Sequence, residues 1–269
     1  MYRAMSRFLN AGALTALTLL SLPLSVAGHE GTVFANRAAC LARAEELPDF
    51  AFEEAKLWER QGAGSEARLC QALALLLRGD WLLAAPALEA TADEMVRESA
   101  SMRANLYSRA AMAWSNAHKL PEAEVAFGKA LELTPRDPQI LMDRAIARAG
   151  IEKYWDAITD LDRVIELSPK MAEAWLLRAQ AHHVLALDAK SMVDVEAALR
   201  LAPQSGEALL LRGNLRAAKS DMIHAKQDWE AVRRVAPGSP ASTIALQNLN
   251  ALDRAQSEQK RELKQKKEQ

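Results

Sequence analysis

The chain has 269 residues, half of them hydrophobic, and its 34 basic and 35 acidic side chains leave a formal charge of −1. This balance argues against a nucleic-acid-binding protein, because neutralising phosphates requires an excess of basic side chains. Only 5% of the residues are aromatic, and there are 11 glycines and 10 prolines, so the composition favours closely packed helices over a β-sandwich or a disordered chain.

Residues 1–27 have the pattern of a secretory signal peptide. Arg3 and Arg7 precede an apolar stretch at 9–24, and small residues follow it up to Ala27, near which we expect cleavage. An uncleaved N-terminal membrane anchor is the alternative, although the stretch is barely long enough to span a bilayer. We therefore expect an exported protein of a bacterial-type periplasm.

The two cysteines of the chain, Cys40 and Cys70, both follow this leader. In an oxidising compartment two such cysteines most simply form a disulfide, which would stabilise the fold by roughly 3.5 kcal/mol in the chain-entropy model. Two buried free thiols are the alternative. The sequence has no CxxC motif, which argues against a thiol oxidoreductase.

Four prolines reveal a period of 34 residues, the signature of stacked supersecondary units. They are Pro135, Pro169, Pro203 and Pro237. Columns of small residues follow the same period: Ala111, Ala145, Ala179 and Gly213; Ala123, Ala157, Ser191 and Ala225; Ala130, Val164, Ala198 and Val232. Columns of larger residues alternate with them: Tyr107, Leu141, Trp175 and Leu209; Phe127, Leu161, Val195 and Trp229. Each unit is predicted to form two helices, the second of which ends at its proline. Because one helix pair cannot bury both of its faces alone, the pairs are expected to stack.

The period, the alternating small and large columns and the closing proline resemble the tetratricopeptide repeat (TPR) family. The resemblance implies an all-α fold, an α-solenoid of stacked antiparallel helix pairs. The best copies are residues 104–137 and 138–171, and two further copies follow at 172–205 and 206–239.

The flanking segments are assigned more loosely. Residues 28–64 are expected to form a divergent N-terminal helix pair, and residues 65–103 a TPR-like repeat that is five residues longer than the others, with a kink at Pro86. Residues 240–256 are expected to form a capping helix, followed by a polar tail at 257–269 that frays or is disordered. The tail has a slight basic excess, which gives it at most a weak attraction for anionic lipid.

Charged residues also recur at 34-residue intervals. We predict that an arginine column pairs with an aspartate column and so links the first and second helices of the units; the alternative is that both columns are solvated. The members are Arg144, Arg178 and Arg212, and Asp160, Asp194 and Asp228.

The sequence carries no catalytic, phosphate-binding or metal-binding motif that we can identify. The adjacent His182 and His183 point about 100° apart on a helix, so they cannot chelate one ion in the usual way. We expect His182 to pack between helices and His183 to face the groove. The expectation is a protein without an enzymatic activity, a metal or a cofactor.

In TPR arrays the first helix of each pair lines a concave groove, so the resemblance assigns a partner-binding surface here. Its members are Arg109, Met112, Asn116, Met142, Ile146, Leu176, Leu177, Gln180, His183, Leu210, Leu211 and Asn214. The set is apolar with a few amides, which suits an amphipathic helix or an extended apolar peptide. It contains no Lys, unlike the chaperone-binding members of the family, which grip a terminal carboxylate. The alternative is that these apolar residues pack on the array's own C-terminal helix.

The resemblance therefore implies a non-enzymatic protein-interaction scaffold that captures a protein or peptide partner during the assembly of cell-envelope complexes. A self-assembling structural oligomer that acts as a spacer is the second hypothesis, and an enzyme with a cryptic site is the third.

Overall fold

The computed structural model describes residues 33–268, so the predicted signal peptide at 1–27 lies outside the described residues. Within the described range the chain is helical and has no strands, which confirms the all-α solenoid. In chain order the helices are α1 (Arg37–Glu46), α2 (Pro48–Trp58), α3 (Ser65–Arg78), α4 (Trp81–Glu94), α5 (Ala100–Asn116), α6 (Leu120–Leu133), α7 (Pro138–Gly150), α8 (Tyr154–Leu167), α9 (Ala172–Val184), α10 (Asp188–Leu201), α11 (Gly206–Ala218), α12 (Met222–Val235) and α13 (Pro240–Glu268), with a π-helical turn at Glu59–Ala63.

Each helix packs against the next one along the chain, and α7 also touches α9. The four evenly spaced prolines lie two residues beyond the ends of α6, α8, α10 and α12. A proline there cannot continue the helical hydrogen bonds, so the second helix of each unit stops and the chain turns into the next unit.

The columns of small and large residues form the interior. All of their members are buried except Trp175, which is half-buried. The column of Ala111, Ala145 and Ala179 ends in glycine because a β-carbon at Gly213 would lie 2.8 Å from the indole ring of Trp229. Small residues on the first helix thus make room for large ones on the second.

The turn between the two helices of a unit contains a left-handed residue in each of the four best copies. These residues are His118, Glu152, Ala186 and Ser220, whose φ angles lie near 60°. They are again 34 residues apart, and none is a glycine. A β-carbon in this conformation costs about 1–2 kcal/mol.

We expect Ala186→Gly to raise the free energy of unfolding by about 0.5–1 kcal/mol. The strain that it relieves exceeds the conformational entropy that glycine adds to the unfolded chain. Chemical denaturation followed by circular dichroism measures the change. The matched control is Ala189→Gly, three residues on at an exposed position of α10, which should lower stability by a similar amount. Equal changes of the same sign would contradict the explanation.

The N-terminal helices are tied to the array by a disulfide. Cys40 in α1 is bonded to Cys70 in α3, with their Cα atoms 6.1 Å apart, which confirms the predicted pairing. Both residues are fully buried, beside Phe34 and Trp58, whose rings meet edge to face. The bond compensates for the short α1 and α2, which bury little apolar surface of their own.

The C-terminal segment differs from the prediction. The helix expected to end near residue 256 continues through the polar tail to Glu268. Residues 241–268 contain no glycine or proline, and Gln, Lys, Glu and Arg are good helix formers, so nothing ends the helix locally. Pro86 lies inside helix α4, which continues to Glu94.

No helix in the described range is long and apolar enough to cross a membrane.

Candidate functional site

The predicted arginine–aspartate columns form a framework that joins the two helices of each unit. Arg144 Nη2 and Nε donate to the two carboxylate oxygens of Asp160 at 2.7 and 2.9 Å. Arg178 holds Asp194 in the same way at 2.6 and 3.0 Å. Arg212 and Asp228 repeat the pair at 2.7 and 3.0 Å. The three aspartates are buried, so these are bidentate ion pairs shielded from water, and the prediction is confirmed.

A further side chain, four residues along the first helix from the arginine, also contacts the aspartate of each unit. Arg148 Nη1 donates to Asp160 at 2.7 Å, and Arg216 Nη1 donates to Asp228 at 2.7 Å. In the unit between them the position holds His182, whose Nδ1 lies 2.9 Å from Asp194. His182 therefore packs between helices, as predicted. The same 34-residue spacing would have revealed this column had Arg and His been compared as alternative cations.

His182 lines a pocket of about 770 Å³ between α8, α9 and α10. Arg148 Nε donates to Glu124 of the preceding second helix at 3.0 Å. His182 has a shorter side chain, and the residue equivalent to Glu124 is Ile158, which lines the same pocket as His182. The cavity floor is Arg178, which also donates to Asp162 at 2.6 Å. Burial alone would lower the pKa of Arg178, but its bonds to Asp194 and Asp162 raise it, so the guanidinium stays charged and paired. These polar groups are satisfied by one another, which indicates a structural role.

A row of three cavities runs along the face formed by the first helices α5, α7, α9 and α11. The first, about 200 Å³, lies between α5 and α7, and includes Met112, Asn116 and Ile146. The second, about 220 Å³, lies between α7 and α9, and includes Ile146, Leu177 and Gln180. The third, about 410 Å³, involves α9, α10 and the start of α11, and includes Leu177. Neighbouring cavities share Ile146 or Leu177, so they form one continuous surface, called here the cavity row.

The cavity row brings together half of the predicted groove residues. They are Met112, Asn116, Ile146, Leu176, Leu177 and Gln180. Met112 and Ile146 are 51% and 45% exposed, so both apolar side chains are accessible to a partner.

Two other predicted groove residues are exposed but line none of the three cavities. Arg109 donates to Asn105 Oδ1 at 2.8 Å, and Nδ1 of His183 lies 2.7 Å from Asp188. Both side chains are held by neighbours outside the row.

Two residues of the predicted set were assigned wrongly. Met142 and Leu211 are only 5% and 8% exposed, and both belong to the hydrophobic core. Met142 lies one turn before Ile146, on the side of α7 that is packed against its neighbours. A residue with so little accessible surface cannot contact a partner.

The last unit is covered by the chain itself. Leu210 and Leu211 pack in the same core cluster as Ala245 and Leu249 of α13. The side-chain oxygen of Asn214 accepts hydrogen bonds from Trp229 Nε1 at 3.0 Å and from Asn248 Nδ2 at 2.9 Å. In this unit the alternative expectation, packing on the C-terminal helix, is the one that holds.

Sequence reasoning missed the charge of the cavity row. Asp143 lines the first cavity, and Glu173 and Glu207 line the third, whereas no Lys or Arg lines any of the three. Burial raises the pKa of Asp143; a hydrogen bond from Gln139 opposes the rise, and the negative charges of Glu173 and Asp137 add to it. Asp143 stands 34 residues after Arg109, so the period marks the position, but the two residue types are opposite in charge.

Among residues 33–268 no three His, Cys, Asp or Glu side chains lie close enough together to hold a metal ion. The chemistry available in the cavity row is therefore apolar contact, amide hydrogen bonding and negative charge.

No protein-family model and no curated protein matches the chain. Solved structures do resemble it. The C-terminal part of a TPR repeat-containing protein from Cytophaga hutchinsonii superposes with a TM-score of 0.63 at 19% identity, covering 79% of this chain and 88% of that one. Residues 41 to the end of MamA from Desulfovibrio magneticus RS-1 give a TM-score of 0.58 at 19% identity, covering 65% and 97%.

A third similar structure is that of YrrB, a TPR protein with an unusual peptide-binding site. It has a TM-score of 0.50 at 17% identity, covering 77% of this chain and 96% of that one. Identities this low establish a common fold and nothing about partners. With its 34-residue period and its stacked helix pairs, the described part of the chain has the fold of the tetratricopeptide repeat proteins.

Proposed function

We propose that the chain is a non-enzymatic scaffold that binds a peptide segment of a partner protein along the cavity row. The observation that carries the proposal is continuity: three apolar cavities, joined by Ile146 and Leu177, lie on helices that buried ion pairs hold in place. Contiguous concave apolar surface of this kind is typical of interaction sites. YrrB shows that a peptide-binding site exists on a protein of this fold.

We propose in addition that the protein is exported and acts in the assembly of cell-envelope complexes. The disulfide between Cys40 and Cys70 supports export, because such bonds persist in oxidising compartments. Recovery of the chain in the periplasmic fraction, with both thiols blocked to alkylation, is the expected result. Recovery in the cytosol with free thiols would rule export out.

We expect a photo-crosslinker at residue 146 to attach the partner segment, and one at residue 193 to attach it far less. Both positions are exposed, but Val193 lies on a second helix, away from the cavity row. Mass spectrometry identifies the attached peptide, which is then synthesised and titrated against the purified protein.

The same peptide should lose about 100-fold in affinity for Ile146→Ser/Leu177→Ser, because each serine removes an apolar contact of about 1–2 kcal/mol without changing the charge of the row. Circular dichroism checks that the variant keeps its helices. If this variant binds the peptide as tightly as the natural chain does, the cavity row is not the site.

A further inference from the structure

The cavity row combines an apolar lining with charges of one sign. Its carboxylates are Asp143 near α5 and α7, and Glu173 and Glu207 where α9 approaches α11. Its other polar members are Ser115, Asn116, Tyr154, Gln180 and Ser205, which are neutral. The acids line the first and third cavities, none lines the second, and Asp143 is close enough to Glu173 for their charges to repel.

These carboxylates are unlike the acids of the framework. Asp160 and Asp228 are each held by two arginines, and Asp194 is held by Arg178 and contacted by His182. In the described part of the chain, Asp143 accepts one hydrogen bond, from the neutral Gln139 at 3.0 Å, and neither Glu173 nor Glu207 forms an ion pair. The negative charge of the row is thus not neutralised by the protein.

The state of Asp143 agrees with this imbalance. Its carboxyl group is partly buried, and the nearby charges of Glu173 and Asp137 disfavour its ionised form further. A cation placed in the row would relieve both effects, whereas a second carboxylate would add to them. Capture of a peptide's terminal carboxylate, the mode of the chaperone-binding TPR proteins, is disfavoured on the same ground.

We infer that the partner segment is cationic: it carries Lys or Arg beside the apolar side chains that fill the cavities. The apolar side chains provide most of the buried contact, and the basic ones meet Asp143, Glu173 or Glu207. The inference rests on the proposed function, since it specifies the partner of the same surface.

A library of N-acetylated, C-amidated dodecapeptides, randomised at every position, tests the inference without end charges. It is selected on four forms of the purified full chain: the natural protein; the apolar variant Ile146→Ser/Leu177→Ser, which leaves the charge of the row unchanged; the neutral variant Asp143→Asn/Glu173→Gln/Glu207→Gln; and a control, Glu122→Gln/Glu196→Gln/Glu230→Gln. The control removes the same charge from exposed positions on second helices that form no ion pair in the described structure.

Peptides bound by the natural protein should be enriched about tenfold in Lys and Arg over Asp and Glu, together with apolar residues at regular spacing. The neutral variant should keep the apolar enrichment and lose the basic one, while the control keeps both. Raising the salt concentration should weaken the basic enrichment selectively.

Two results would be negative, for different reasons. Apolar enrichment without a preference for basic residues, or with a preference for acidic ones, overturns the cationic partner and leaves the scaffold intact. Failure of the natural protein to enrich any peptide beyond the apolar variant overturns the proposed function itself.

Discussion

Replacing Asp160 by Ala should lower the free energy of unfolding by about 3–5 kcal/mol, which is a large part of the stability of an ordinary domain. The carboxylate is buried, and Arg144 and Arg148 both donate to it. The substitution leaves two guanidinium groups in a shielded site without their counter-charge. Urea denaturation followed by circular dichroism gives the difference directly.

Asp156→Ala is the matched control for this prediction. Asp156 lies one turn earlier on α8, is exposed and forms no ion pair in the described structure, so its loss should cost less than about 1 kcal/mol. Comparable losses in the two variants would mean that the ion-pair framework contributes little, and that α8 is sensitive to substitution in general.

Reduction of the disulfide should have the second large effect, a loss of about 3.5 kcal/mol that is confined to the N-terminal helices. α1 packs only on α2 and α3 among its major contacts, and stacked units exchange energy chiefly with their neighbours. Hydrogen exchange measured by mass spectrometry should therefore accelerate in α1 and α2 and stay unchanged in α9 to α12.

The double variant Cys40→Ala/Cys70→Ala separates the bond from other effects of the reductant. It should show the fast exchange of α1 and α2 with or without dithiothreitol, whereas the natural chain should show it only when reduced. Faster exchange throughout the array would indicate that the N-terminal helices and the repeats unfold as one unit.

The sequence predicts those features that recur in every unit. The prolines, the buried small columns and the ion pairs of Arg144, Arg178 and Arg212 all depend on contacts inside one unit or between identical neighbours, so a constant spacing is enough to find them. The same reasoning assigned Leu211 to the groove, because the equivalent residue Leu177 lies there. The period does not reveal that α13 packs on the last unit, where Leu211 is buried in the same core cluster as Leu249.

The site was harder to predict because its chemistry does not recur. Arg109, Asp143, Leu177 and Leu211 occupy equivalent positions in successive units, and they are respectively basic, acidic, partly buried apolar and buried apolar. A column without a shared residue type gives no signal, although this variation is what makes the face selective. Met142 was misassigned for a related reason: small rotations of a helix decide whether a side chain on its flank is accessible.

Helix α13 also covers the surface on which another unit would stack. Pro240 follows Gly206 by 34 residues, and Asn248 follows Asn214 by the same interval, so α13 begins where the first helix of another unit would begin, and it packs on α11 and α12. Each unit ends in the kind of surface on which the next one starts, so a molecule cut before Pro240 would present an open edge, and copies could join head to tail into an unlimited filament.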